Sequence, residues 1–238
     1  MTCTLLSLIL PVRNQADHIG PVVESCGQSL AELPVAYEII VVVNGSTDRS
    51  EEVCRELARR DDRVRVLTTP TSGWGRAVRI GLDASNGDLI CYANSARTPA
   101  DELARLLRHA LSSGDAVVKA KRKRRGNLTR RLGALLFNLQ CRVLFDLATW
   151  DVNGTPKIFP RRFERLLDLA CDDDLIDAEF YLVCRRHGYP IIEVPIVSVR
   201  RHGGRSSTTW GSAIRMYRGA FRLRRAWRKA AVGLRQTT

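Results

Sequence analysis

Apolar segments alternate with helical segments through the first hundred residues, and this alternation constrains the fold more than any other feature of the chain. Runs of β-branched and apolar residues of this length are typical of strands that are buried on both faces. Helix-like stretches separate the runs, which favours parallel strands joined by crossover helices. The sequence therefore predicts a Rossmann-like α/β fold with a mostly parallel central sheet. The four runs are LLSLILPV (5–12), YEIIVVVNGS (37–46), RVRVLTT (63–69) and DLICYAN (88–94).

Four loops follow these predicted strands: PVRNQ, NGSTD, TSGWGR and NSARTP. Ligands of open α/β sheets bind outside the carboxyl ends of the strands, so these loops are the candidate site. Turn chemistry alone explains small, polar and glycine residues in any one of them. Four such loops together predict a ligand cleft.

The pattern changes beyond residue 110. A strand over 115–123 ends in a basic cluster, and a helix is predicted over 129–147. A turn, short strand and helix follow, then an acidic loop with a helix, an edge strand, and a basic loop, RRHGGRSSTTW. We divide the chain into one α/β domain over 1–208 and a basic amphipathic C-terminal helix over 209–238.

The net charge of +13 is distributed unevenly. Eight Lys or Arg and no acid lie in 119–131, and eleven basic residues and no acid follow Glu193. Such tracts favour an anionic partner: phosphates of a small substrate, an anionic membrane surface, or nucleic acid. Nucleic acid is the least favoured of the three, because neither a recognition motif nor an aromatic stacking platform accompanies the charge.

The predicted C-terminal helix places its apolar residues at three- and four-residue steps, with arginines around the rest of the wheel. This pattern is typical of a helix that lies in the headgroup layer of a membrane, although packing on its own domain or on a second subunit would produce it too. The stripe comprises Ala213, Met216, Ala220, Leu223, Trp227, Ala231 and Leu234.

Three features that the sequence lacks indicate where in the cell the protein is expected. No uninterrupted apolar stretch reaches the ~18 residues of a spanning helix, and the N-terminus reads as a strand instead of a signal peptide. Seven scattered cysteines without CxxC spacing suggest reduced thiols. We expect a cytoplasmic protein that is associated peripherally with the inner face of the membrane.

In order along the chain, the loops resemble those of family 2 glycosyltransferases of the GT-A fold, and within that family the dolichyl- and polyprenyl-phosphate sugar synthases. The matching segments span roughly 5–208 and include LSLILPVRNQ, EIIVVVNGSTDRS, GWGRAVRIGLDASNGD, DVNGTPKIFPRR and RRHGGRSS. Singly these motifs are weak evidence, but their shared order is strong. The resemblance implies a nucleotide-sugar donor and a lipid-phosphate or small-molecule acceptor.

The resemblance also implies roles for individual residues. The phosphate-facing positions are Lys121, Arg200, Arg201, Arg205 and Ser206. The donor-binding positions are Pro11, Asn14, Asn44, Gly45, Ser46, Asp48, Gly73, Gly75, Arg76, Asn94 and Ala96.

The departures from the family pattern lie where a metal would be held. The paired acids after the second strand are Val43 and Asn44 here, and the Asp-x-Asp position is Asn94-Ser95-Ala96. Divalent cations prefer charged oxygen ligands, whereas Asn94 offers one neutral carbonyl and Ala96 none. We therefore expect no cofactor, with Mg²⁺ or Mn²⁺ as the less favoured alternative.

Chemistry without a metal is feasible when positioned Lys and Arg stabilise the leaving nucleotide diphosphate. Asp151 is the candidate base, with Asp177 and Glu179 as the next choices. Helix capping explains the Asp172–Asp174 run. We expect a metal-independent glycosyltransferase whose donor base stays open among uridine, guanosine and less usual nucleotides; the alternative is a catalytically silent relative that acts as a nucleotide-, lipid- or partner-binding scaffold.

Overall fold

The computed structural model describes residues 4–122, 128–196 and 210–235, including the side chains of 132–196 and 216–228 in the last two segments. Within these residues a seven-stranded sheet has the order β3-β2-β1-β4-β6-β5-β7, with β6 antiparallel to both neighbours. The strands are β1 Leu5–Val12, β2 Ala36–Asn44, β3 Val64–Thr69, β4 Leu89–Tyr92, β5 Val117–Arg122, β6 Lys157–Pro160 and β7 Ile191–Ile196.

Seven α-helices and one short 3-10 helix, Glu164–Leu166, connect these strands within the described residues. The predicted α/β class with a mostly parallel sheet is therefore confirmed. The α-helices are α1 Ile19–Ala31, α2 Ser50–Arg60, α3 Trp74–Ala84, α4 Ala100–Ser113, α5 Leu128–Phe145, α6 Ile176–His187 and α7 Trp210–Arg235.

The central strands are buried on both faces, as their continuous apolar sequences predict. One face of the sheet packs against α1, α2 and α4, and the other packs against α3 and α6. A Cβ on Gly81 would lie 2.2 Å from the Ile9 side chain, so glycine allows α3 to approach β1 closely. This packing fixes where α3 begins relative to the ends of the strands.

A third apolar cluster joins α5, α6 and α7 beside the sheet. Met216, Ala220, Leu223 and Trp227 of α7 belong to it, and a Cβ on Gly219 would lie 2.4 Å from Leu175. These four residues of the stripe pack on the protein itself, which favours the alternative of a helix packed on its own domain over a stripe that lies in a headgroup layer. The side chains of Ala213, Ala231 and Leu234 lie outside the described residues.

Candidate functional site

The loops after β1 and β2 are joined by hydrogen bonds at the carboxyl edge of the sheet. The Asn14 amide donates to the Ser46 hydroxyl at 3.1 Å, and the Thr47 amide donates to Asn14 Oδ1 at 2.8 Å. Asn14 has a φ of 50°, a left-handed conformation that Asn tolerates better than most residues. Two of the predicted donor-binding residues therefore lie in contact.

Asp48 strengthens this connection. Its carboxylate accepts hydrogen bonds from the amide of Ala16 at 3.0 Å and from the hydroxyl and amide of Ser50. Partial burial acts to raise the pKa of Asp48, but the hydrogen bonds from Ser50 and Ala16 lower this pKa overall. The ionised Asp48 carboxylate therefore joins the loops after β1 and β2 by accepting hydrogen bonds from both.

Asn44, the last residue of β2, links this pair of loops to the start of α3. Its Nδ2 donates to the Val12 carbonyl at 2.9 Å, and its Oδ1 accepts from the Gly73 amide at 3.2 Å. Gly45 has a φ of 57°, and a Cβ there would lie 2.7 Å from the Ser72 nitrogen. The Asn44 amide thus joins three loops at the position where the resemblance implies a carboxylate.

The segment before α6 lies against the N-terminus of α3. A Cβ on Gly75 would meet the Cys171 carbonyl at 2.2 Å, and one on Gly73 would meet the Asp172 carbonyl at 2.6 Å. Asp172 also accepts hydrogen bonds from Arg76 at 2.7 Å and Arg79 at 2.6 Å. Arg76 thus lies at the predicted place but is already ion-paired.

The residues at the Asp-x-Asp position are poor metal ligands. Asn94 Oδ1 accepts the Ala96 amide at 3.1 Å, and the buried Ala96 offers no side-chain oxygen. The Ser95 hydroxyl lies 2.8 Å from the Pro11 carbonyl and 2.9 Å from Gln15 Oε1. No group of three His, Cys, Asp or Glu suited to a metal occurs in the described part of the chain. These residues do not fit a divalent cation.

A row of polar and charged residues crosses the sheet next to DVNGTPKIFPRR, the segment that contains Asp151 and that the resemblance assigns to the acceptor. We call this region the acceptor side. Strand register places Tyr92 of β4 opposite Lys157 of β6, Lys157 opposite Lys119 of β5, and Lys119 opposite Glu193 of β7. Both lysines are fully buried. Lys157 pairs with Asp177, which also accepts the Tyr92 hydroxyl at 3.0 Å. We call Tyr92, Lys157, Lys119, Glu193 and Asp177 the charged row.

The second lysine of the charged row has several acceptors. Lys119 Nζ donates to the Asp151 carbonyl at 2.6 Å and lies 3.2 Å from Glu193 Oε1. The pKa of Lys119 is lowered to about 8, first by burial and then by the charge of Lys157, against the opposing effect of Glu193. Burial also lowers the pKa of Lys157, against the opposing effect of Asp177. Each buried cation is therefore stabilised by a specific carboxylate.

Asp151, the predicted base, is buried and held by Arg122. Arg122 donates its backbone amide and Nε to Oδ2, each at 2.9 Å, and Nη2 to Oδ1 at 2.6 Å. A Cβ on Gly154 would lie 3.0 Å from Asp151 Oδ2, so the turn closes tightly over the carboxylate. Asp151 is thus part of an ion pair next to the charged row.

The predicted phosphate-facing residues divide into two groups. Lys121 is half-exposed, and its Nζ lies 3.3 Å from Glu193 Oε2. Arg200, Arg201, Arg205 and Ser206 lie outside the described residues.

The acids before and within α6 have different environments. Glu179 accepts the Ala170 and Cys171 amides, and Asp173 accepts the Leu175 amide at 2.9 Å. The prediction that the Asp172–Asp174 run caps the helix is wrong, because Leu175 is the N-cap residue of α6 and no side chain there makes a capping hydrogen bond. Within the part of the chain that the structure describes, no hydrogen bond or ion pair reaches Asp174. Burial, followed by the charges of Asp177 and Asp173, raises the pKa of Asp174 to about 6.

Sequence reasoning missed both buried lysines and the unpaired indole of Trp74. Trp74 Nε1 is buried at the start of α3 without a partner among the described residues, and its ring packs edge-on against Tyr92. The available signal was weak: Lys119 follows two valines in VVKAKR, a strand with two further basic residues, and Lys157 is the one charged residue of KIFP.

Residues 7–178 match the family described as Glycosyl transferase family 2. The chain is 28% identical over 170 residues to undecaprenyl-phosphate 4-deoxy-4-formamido-L-arabinose transferase of Pseudomonas aeruginosa (strain LESB58), covering 70% of this chain and 50% of that protein. The Edwardsiella ictaluri (strain 93-146) protein of the same name is 29% identical over 140 residues, covering 58% and 43%. The chain spans about half the length of the curated relatives it matches.

Solved structures share the fold. Glucosyl-3-phosphoglycerate synthase from Mycobacterium tuberculosis, in complex with Mn²⁺, uridine diphosphate and phosphoglyceric acid, superposes with a TM-score of 0.70 at 20% identity, covering 92% of this chain and 76% of that one. A structure described as a mycobacterial protein has a TM-score of 0.70 at 21% identity, covering 92% and 72%. The matched family and the shared GT-A fold agree with the order of the loops. This chain belongs to glycosyl transferase family 2.

Proposed function

We propose that this domain transfers a sugar from a nucleotide-sugar donor to a polyprenyl phosphate or to another acceptor with a phosphate or hydroxyl group. The observation that carries the proposal is the connection of three predicted donor loops through Asn14, Asn44 and Asp48 at one edge of the sheet. Named relatives act on undecaprenyl phosphate, and a structural neighbour holds uridine diphosphate beside a phosphorylated acid. These names support a phosphate-bearing acceptor.

The proposed transfer does not require a divalent cation. Asn94 and Ala96 cannot replace two carboxylates, although structural neighbours bind Mn²⁺ or Mg²⁺ together with uridine diphosphate. Positioned cations stabilise the negative charge that develops on a leaving diphosphate. We assign that task to Lys121 and the arginines Arg200, Arg201 and Arg205.

The environment of Asp151 favours a phosphate over a hydroxyl as the nucleophile. Arg122 donates three hydrogen bonds to Asp151, so this carboxylate must exchange a partner before it takes a proton from an acceptor hydroxyl. A phosphate is already ionised near neutral pH and needs no proton removed. Asp151 is thus the proposed base for a hydroxyl acceptor and is dispensable as a base for a phosphate acceptor.

A lipid-borne acceptor requires the domain to work at a membrane. None of the helices in residues 4–122, 128–196 and 210–235 combines the length and hydropathy needed to cross a bilayer. We propose peripheral attachment to the cytoplasmic face of the membrane, supported by the excess of basic residues near the C-terminus.

Calorimetric titration with UDP, GDP and their sugar conjugates tests the donor assignment, once with Mn²⁺ and once with a chelator. We expect one nucleotide to bind with the same affinity under both conditions, and transfer to an undecaprenyl phosphate acceptor to be unchanged by the chelator. Lys121→Ala should reduce turnover by about 10²-fold. Binding or turnover that appears only with Mn²⁺ would refute metal-independent transfer.

A catalytically silent nucleotide-binding relative is the second candidate. Two ion pairs favour it, because Arg76 and Lys121 already have carboxylate partners in Asp172 and Glu193. Tight nucleotide binding without transfer to any phosphate or hydroxyl acceptor would support this alternative over the enzyme.

A further inference from the structure

Helix α5 is apolar on two opposite sides. Phe137, Cys141 and Phe145 are buried in the cluster shared with α6 and α7. The opposite side carries five large apolar residues that remain between 48% and 70% exposed. We call these five residues the leucine face: Leu132, Leu135, Leu136, Leu139 and Val143.

The leucine face is a continuous surface. Its members recur at steps of one, three and four residues, so they share an arc of roughly 100° around the helix axis. A helix that is apolar all round is normally covered on every side, and contiguous exposed apolar patches mark interaction sites. The leucine face is therefore a candidate interaction surface.

Helix α7 presents arginines alongside. The Tyr217 hydroxyl donates to the Gly133 carbonyl at 2.8 Å, and Gln140 Nε2 donates to the Tyr217 carbonyl at 2.9 Å, so Tyr217 faces α5. Phe221, Arg224 and Arg228 follow Tyr217 at helical spacing and lie on the same side of α7. The side of α7 that carries Tyr217, next to its packed stripe, is thus basic and aromatic.

A shallow recess of about 370 Å³ lies on α7. Guanidinium groups bind phosphate oxygens two at a time, and an exposed aromatic ring is typical of the boundary between headgroups and acyl chains. This combination suits a phospholipid headgroup. Phe221, Arg222, Arg224, Arg225 and Arg228 line the recess.

Charge distinguishes the possible partners. Helix α5 contains three arginines and α7 contains eight Lys or Arg, and neither contains an acidic residue. A second copy docked through this surface would place like charges against each other, whereas an anionic bilayer complements both the charge and the apolar face.

We propose that the leucine face and the adjacent arginines of α7 dock on an anionic phospholipid bilayer, with the leucines inserted among the headgroups. Docking would bring the site to a lipid-borne acceptor, and only this purpose of the docking rests on the proposed function. Asn138 Oδ1 of α5 accepts the Val152 amide at 3.0 Å, so the docking helix directly supports the segment that contains Asp151.

Co-sedimentation with vesicles tests the surface. We expect the protein to bind vesicles that contain phosphatidylglycerol and not vesicles of phosphatidylcholine alone. The double variant Leu135→Gln/Leu139→Gln should lose at least about tenfold in affinity, because two leucines no longer insert. Ile192→Gln is the matched control, since Ile192 is 40% exposed on β7 and lies outside the leucine face; its affinity should be unchanged.

Three outcomes would overturn the inference: wild-type affinity in the double variant, equal binding to both kinds of vesicle, or a dimer in sedimentation that the double variant abolishes. Turnover with a water-soluble, short-chain prenyl phosphate separates this test from the proposed function. The double variant should retain that turnover. Vesicle binding without turnover in any variant would refute the transferase proposal and leave the docking surface standing.

Discussion

Different kinds of interaction stabilise the donor side and the acceptor side of the site. On the donor side, hydrogen bonds join partly exposed loops, both neutral ones such as that from Asn14 to Ser46 and those that the Asp48 carboxylate accepts. On the acceptor side, two fully buried lysines, Lys119 and Lys157, are stabilised by carboxylates from other elements. An exposed hydrogen bond contributes little net free energy, whereas an unpaired buried charge is costly. Donor-side variants should therefore alter binding, and acceptor-side variants should alter stability.

The largest expected effect comes from breaking an ion pair in the charged row. Asp177→Ala leaves Lys157 buried without its carboxylate, and we expect the free energy of unfolding to fall by about 3–5 kcal/mol in chemical denaturation. Adding Lys157→Met should restore much of the loss. The control is Asp168→Ala, which removes an exposed acid. A loss below about 1 kcal/mol for Asp177→Ala would show that the two halves do not differ in this way.

Gly75 lies where the two halves meet. Gly75→Ala places a Cβ 2.2 Å from the Cys171 carbonyl, so the segment before α6 must move away from α3. We expect a destabilisation of about 1–3 kcal/mol, measured by thermal unfolding. Gly133→Ala in α5 is the matched control, because nothing lies within 4 Å of the new Cβ. Equal effects of the two substitutions would contradict the close packing of α3 against this segment.

Asp174, which lies just before α6, makes the stability of the protein depend on pH. Its pKa is about 6 in the folded protein and 3.8 in the reference state, so the folded state binds more protons between these values. Stability from this group is therefore present at low pH and is lost as pH rises from about 4 to 6. Asp174→Asn should stabilise the protein by about 1–2 kcal/mol at pH 7.5 and hardly at pH 4. Unfolding curves at both pH values test this, and a pH-independent change would contradict it.

The smallest expected effect on stability lies on the donor side. Ser46→Ala removes the acceptor of the Asn14 amide, which is exposed to water, and should cost about 0.5–1 kcal/mol in unfolding free energy. Nucleotide affinity, measured by calorimetry, should fall more than stability does. Thr47→Ala is the control, because the Thr47 backbone amide still donates to Asn14. If Ser46→Ala lowered the free energy of unfolding as much as Asp177→Ala does, the donor and acceptor sides would not differ in this way.

The sequence by itself determined the α/β class, the alternation of strands and helices, and the family, because these depend on local patterns and on loops that occur in a fixed order. The apolar run of β2 and the loop that begins at Asn44 needed no tertiary information. The exposed position of α5's leucines and the packing of Met216, Ala220, Leu223 and Trp227 of α7 against the protein were not predictable, since both helices have apolar residues at helical spacing. Hydrophobic periodicity identifies the apolar face of a helix, but it does not show what packs against that face.

Only the tertiary structure decided which charges meet. Lys119, Lys157 and Glu193 come from three different strands, and the register of those strands places them in one row. Arg122 reaches Asp151, and Arg76 reaches Asp172, across long separations in the chain. Composition counts these charges, but a buried lysine is stable only where folding delivers a carboxylate from elsewhere in the chain. Long-range register and packing therefore decide the electrostatics of this site.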